Sequence, residues 1–147
     1  MRAPDERVGK TSDHWERFWD AKSGVHHADA IRLPVLDLTW VSLLTDLEFQ
    51  RDDFLALELA CGSGSVSKHL KNKSQFTKAT KIGFDASTSA LKKLQFGELP
   101  VAGNLERLPF ARDSVDLLTS QFGIEYAGIS SIEAALDCVA SSRGVLR

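Results

Sequence analysis

Cysteine is scarce in this chain: Cys61 and Cys138 are the only two in 147 residues. No disulfide framework is available to staple a small fold, and free thiols in a reducing compartment are the expectation. Long apolar runs are missing too. Nothing approaches the ~18 residues of a membrane-spanning helix, and the opening MRAPDERVGK lacks the apolar centre of a signal peptide. A surplus of one charge is also lacking, since 18 basic residues face 20 acidic ones. Without a basic block, neither a nucleic acid nor an anionic membrane is favoured as a partner. These absences lead to the expectation of a soluble cytoplasmic protein with free thiols, and 43% hydrophobic residues suffice for one core.

The richest stretch is LALELACGSGSVS, Leu55 to Ser67. Phe54 to Ala60 is short, almost wholly apolar and bounded by turn residues, as in a parallel strand covered on both faces. Gly62 and Gly64 then break the pattern, letting the backbone turn tightly and approach a ligand closely. Ser65 is placed to cap a helix beginning beyond them, whose unpaired N–H groups would face the turn. Cys61 is read as a small residue filling that turn, with a reactive thiol as the alternative.

Around this stretch the pattern predicts alternating elements. The first ten residues are polar and read as loose, and Ser12 or Asp13 is placed to start a helix carrying Trp15, Phe18 and Trp19 on one face. That aromatic face is either docked on the body of the fold or a lid over a ligand. Lys22 to Asp29 reads as a loop. Its adjacent His26 and His27 diverge on any regular element and have no spaced partner, so no metal site is expected. Pro34 suits a first helical turn, and Val35 to Phe49 carries a broad apolar stripe. A second strand is expected over Ala79 to Phe84, a helix from Ser87 or Thr88 to Leu94, and a third strand over Leu99 to Ala102. A loop over Gly103 to Pro109, a fourth strand over Val115 to Phe122 and a helix from Ser130 or Ser131 to Ala140 complete the series. This alternation implies an α/β fold with a parallel sheet and right-handed crossovers. Asp85 ends the second strand 21 positions after Gly64, close to the ~20 at which nucleotide-binding units place a carboxylate for ribose hydroxyls. A helix cap is its competing reading.

These motifs, in this order, resemble the class I S-adenosylmethionine-dependent methyltransferases of small-molecule type. ELACGSG at Glu58 to Gly64, GFDAS at Gly83 to Ser87, and GNLERLPFARDSVDLLTSQFGIEY at Gly103 to Tyr126 carry the likeness, with HWERFW near the start matching more weakly. The resemblance implies a Rossmann-like parallel sheet with flanking helices, S-adenosylmethionine as cofactor, and methyl transfer to a small-molecule acceptor. It assigns Glu58 to the methionine amino group, and Ala60, Gly62 and Gly64 to the methionine and ribose. Asp85 with Ala86 falls to the ribose, Asn104 with Leu105 to the adenine, and Gln121 with Phe122 to the methyl group and acceptor. Asn104 stands where the family usually has Asp; its oxygen still accepts a hydrogen bond but brings no charge. No catalytic base is singled out, because an activated methyl needs mainly an acceptor held in line.

The resemblance also sets a domain expectation: residues 1–53 as a helical cap and 54–147 as a partial cofactor-binding domain, incomplete with about four of the family's seven strands. The fourth strand would then have an uncovered apolar edge of Val115, Leu117 and Leu118, to be covered by a second chain through self-association or by another segment. A truncated, non-catalytic binding module is therefore the alternative to an enzyme. A nicotinamide enzyme fits less well, because Ser67 stands where that fingerprint needs Gly or Ala.

Overall fold

The computed structural model describes residues 6–21, 34–47, 54–71, 73–139 and 145–146. In chain order the elements are α1 (Glu6–Ala21), α2 (Pro34–Thr45), β1 (Leu55–Leu59), α3 (Ser67–Leu70), β2 (Thr80–Asp85), α4 (Thr88–Leu91), β3 (Leu99–Ala102), β4 (Leu117–Ser120), α5 (Ile129–Cys138) and β5 (Val145–Leu146). All strand pairs are parallel, in the order β3-β2-β1-β4-β5. The chain steps outward from β1 to β3, then returns to the other side of β1. That reversal puts a crevice between the carboxyl ends of β1 and β4.

Alternation along β1 builds two apolar layers. Ala56 faces Trp40 and Leu44 of α2, Leu70 of α3, Phe54, Phe76 and Leu117. Leu57 and Leu59 face the other way, onto Phe84, Leu118 and the α5 residues Ala135 and Cys138. Both layers are closed by side chains from distant segments, which is why the near-continuous apolar runs read as covered strands. Among the described residues no helix is long and apolar enough to cross a membrane.

Several boundaries differ from expectation. The backbone of α1 is helical from Glu6, six residues before Ser12; Glu, Arg and Lys are good helix formers, and a polar turn looks the same in sequence as a loose one. Ser65 does not cap α3, whose first N–H groups are taken instead by Glu58 from the strand below. The helix expected to reach Leu94 ends at Leu91 and unwinds through turn bonds from Lys93 N to Ala90 O and from Leu94 N to Leu91 O. α5 starts at Ile129, one residue early, behind Gly128 and with no side-chain cap. His26, His27 and the rest of Lys22 to Asp29 lie outside the described residues, as do Gln50 to Asp53.

The largest correction concerns the fourth strand. β4 proper begins at Leu117, and Val115 instead makes a parallel bridge to Val139. Leu117 and Leu118 pair with Val145 and Leu146 of β5, so the sheet has five strands. Val115, Leu117 and Leu118 are all fully buried. The apolar edge expected from the sequence is thus paired within the chain at Leu117 and Leu118.

Candidate functional site at the β1 and β4 strand ends

Four strand ends meet at the crevice, and short hydrogen bonds lock them together. Cys61 N donates to Phe84 O at 3.1 Å, joining the turn after β1 to β2. Gly103 N donates to Asp85 O at 3.0 Å, joining the loop after β3 to the same strand. Ser120 Oγ donates to Leu59 O at 2.9 Å, tying β4 to β1. The turn itself runs through left-handed conformations at Ala60 (φ 49°), Gly62 (φ 55°) and Gly64 (φ 88°). For Ala60 this costs about 1 kcal/mol, and Phe122 at φ 56° carries the same strain after β4. The two strained residues lie at the ends of the strands between which the sheet order reverses, with Gly123 packed directly on the Ala60 β-carbon.

Two buried carboxylates hold the turn, one from below and one from its rim. Glu58 accepts from Val66 N and Ser67 N at 2.9 Å each and from Ser67 Oγ at 2.7 Å. Its oxygens are thus committed to the start of α3, and burial pushes its carboxyl up to about 7 against the pull of those donors. Asp85 accepts from Gly62 N through Oδ2 and from Ser87 N through Oδ1, both at 2.8 Å. Burial raises this carboxyl as well, opposed by the same backbone donors. Ser87, not Asp85, is the cap of α4, its Oγ accepting from Ala90 N. The Ala86 backbone also acts on this carboxylate, and of its about four acceptor sites at least one remains for a further donor. Ala86 beside it is exposed.

The other assigned residues occupy the same rim with different freedom. Asn104 uses Oδ1 to accept from Glu106 N at 2.9 Å, so its side chain shapes the loop. Leu105 packs against the second apolar layer. Gln121 accepts from the Trp40 indole N–H, which orients it from α2. Phe122 and Tyr126 beyond it are largely exposed. Cys61 is buried against Gly83, and desolvation together with the charges of Glu58, Asp85 and Glu98 pushes its thiol far up. It packs the turn against β2, and its burial disfavours the thiolate. Among the described residues no group of three or more His, Cys, Asp or Glu is placed to hold a metal.

Several side chains at this site go beyond the motif residues. Trp19 of α1 lies on Gly62, and Trp15 meets Tyr126 edge-on at 5.4 Å between centroids. Glu16 accepts from Thr88 Oγ1 and Ser89 Oγ at 2.8 Å each. Hydrogen bonds from Ser87, Thr88 and Ser89 bring its carboxyl down to about 2. The i, i+3, i+4 aromatic spacing signals a buried face on α1; that this face lies over the glycine turn is set by polar contacts the spacing does not encode.

Comparison with known proteins places this geometry. A family model described as a methyltransferase domain matches residues 57–147. A demethylmenaquinone methyltransferase of Thermotoga maritima is 31% identical over 120 residues, covering 78% of this chain and 51% of the relative. The chain thus spans about half the length of that curated relative. A solved structure from Methanococcus maripaludis, described as an S-adenosyl-L-methionine-dependent methyltransferase, superposes with a TM-score of 0.65 at 12% identity, over 99% of this chain and 65% of that one. Phosphoethanolamine N-methyltransferase 1 of Haemonchus contortus, solved with phosphoethanolamine and S-adenosylhomocysteine, gives 0.59 at 16% identity, over 95% and 31%.

Proposed function

The chain belongs to the methyltransferase domain family, and from that premise we propose that it binds S-adenosylmethionine at the β1 and β4 strand ends and supports methyl transfer to a small-molecule acceptor. The observation that carries this reading is Asp85, held at the rim by Gly62 N–H with acceptor capacity to spare. Ribose hydroxyls are donors that a twice-anchored carboxylate can take without moving. The Gly62 and Gly64 backbone lines the methionine and ribose, with Ala60 and Ala86 flanking them. Glu58 holds the turn in shape from beneath, and so acts on the methionine through the backbone it fixes. Asn104 and Leu105 bound the adenine side, and Gln121, oriented by Trp40, borders the transferring methyl. When bound, the cofactor supplies the activated methyl; the protein's task is to orient and to exclude water.

In this arrangement residues 54–147 form the cofactor-binding unit and the helices of residues 1–53 its cap. Calorimetry with S-adenosylhomocysteine tests the reading. Micromolar binding that is weakened in Asp85→Ala is the expected result, and an absence of heat from a folded chain would sink it. Binding without turnover of S-adenosylmethionine across a panel of phenolic, amine and thiol acceptors would select the non-catalytic binding module instead.

A further inference from the structure

The space that Gly62 leaves for a ligand is already filled by the chain itself. A β-carbon placed at Gly62 would meet Trp19 Cζ2 at 2.6 Å and Cη2 at 3.1 Å. The indole therefore rests on the glycine backbone with no room for a second group between them. Polar contacts hold it there. Glu16 accepts from Thr88 Oγ1, Ser89 Oγ and Ser89 N at 2.8, 2.8 and 3.2 Å. The one Ser89 hydroxyl proton is shared, because Asp20 Oδ1 also lies within hydrogen-bond distance of Ser89 Oγ. Lys93 Nζ donates to Trp19 O at 2.6 Å and stands 5.4 Å from the centroid of the Trp19 ring.

We propose that α1 is a self-blocking strap: Trp19 occupies the Gly62 cradle, and a cofactor that is to touch that backbone must first displace the indole, with Glu16, Asp20 and Lys93 as the latch. This rests on the reading that the turn takes an S-adenosyl ligand. The latch grips Thr88, Ser89 and Lys93, none of which is assigned to the ligand, so it holds with the cradle empty. Its bonds lie at partly exposed positions, where each contributes little net free energy. A latch of that kind closes the site by default yet yields to a ligand with modest binding energy. Apparent affinity is then reduced by the fraction of molecules in the unlatched form.

The test is calorimetry with S-adenosylhomocysteine on the full chain, on Trp19→Ala and on Glu16→Gln. If about nine in ten molecules are latched, both variants bind about tenfold more tightly than the parent. Glu16→Gln keeps the Trp19 side chain and weakens only the latch that holds it down, so it still reports if Trp19→Ala fails to fold. Equal or weaker binding by both variants, with the parent binding normally, overturns the strap: the indole is then a wall of the pocket, and the cofactor reading stands. No binding by any of the three overturns the cofactor reading and the strap together.

Discussion

The two sides of the crevice are built differently. On the β1 and β2 side, Glu58, Asp85 and Ser87 are buried, and each makes hydrogen bonds of 3.1 Å or less to backbone N–H groups. On the β4 side, Phe122 and Tyr126 are 58% and 64% exposed, and α5 begins without a side-chain cap. The first side is held rigid by internal hydrogen bonds. The second presents aromatic surface with few fixed polar partners. Such a division suits a protein that must recognise an invariant cofactor and a separate acceptor, since rigid polar anchoring gives recognition while exposed loops carry specificity.

The sharpest way to break the rigid side is through Glu58. Glu58→Ala orphans two backbone donors and one hydroxyl in a buried site, for a loss of about 4 kcal/mol. Chemical denaturation measures it, and a loss under 1 kcal/mol would show that the turn does not depend on this carboxylate. A pH series asks the same question without mutation. Because folding raises Glu58 from 4.5 to about 7, the folded chain holds the proton more tightly than the unfolded one. This contribution is complete below pH 4.5 and is lost as pH rises to about 7, to the extent of about 3 kcal/mol. His69 acts in the opposite sense, because burial and Lys68 lower it. The parent minus Glu58→Gln difference therefore isolates the carboxyl. A difference that stays flat between pH 4.5 and 7 would exclude this titration.

The next effect separates the two sides functionally. Asp85→Ala is expected to weaken S-adenosylhomocysteine binding by about 1 to 3 kcal/mol. Gln121→Ala, on the β4 side, should change it by less than about 0.5 kcal/mol if this residue borders the transferred methyl, which that ligand lacks. Equal losses in the two variants would erase the distinction between the walls.

What the sequence revealed follows the same division. The glycine turn, Asp85 and β3 were legible because apolar runs, glycines and a strand-end acid are local signals. Glu58 was legible as an acid near the turn, but its grip on Val66 and Ser67 was not, since it joins residues eight and nine positions away through a bend. The cover over β4 was missed because β5 is two residues long and Val115 bridges to Val139 outside any strand. Trp40 as the anchor of Gln121 lies 81 positions away, beyond any periodicity argument.

The smallest prediction exploits the difference between the two helix starts. α4 has Ser87 as its cap, with Oγ accepting from Ala90 N at 3.1 Å, whereas α5 starts behind Gly128 with no side-chain acceptor. Gly128 sits at φ −69° and ψ 162°, extended backbone that any residue adopts. A β-carbon there would meet only Ser130 Oγ at 3.8 Å, an ordinary contact. Aspartate at this position can accept from the first-turn N–H groups and places negative charge at the positive end of the helix dipole. Gly128→Asp should therefore raise stability by a few tenths of a kcal/mol, about 0.3 to 0.8, while Ser87→Ala costs about 1 kcal/mol. Both are read as midpoint shifts in denaturant at constant slope. If Gly128→Asp destabilises the chain, the α5 terminus already has its N–H groups satisfied, and the β4 side is more ordered than its exposure suggests.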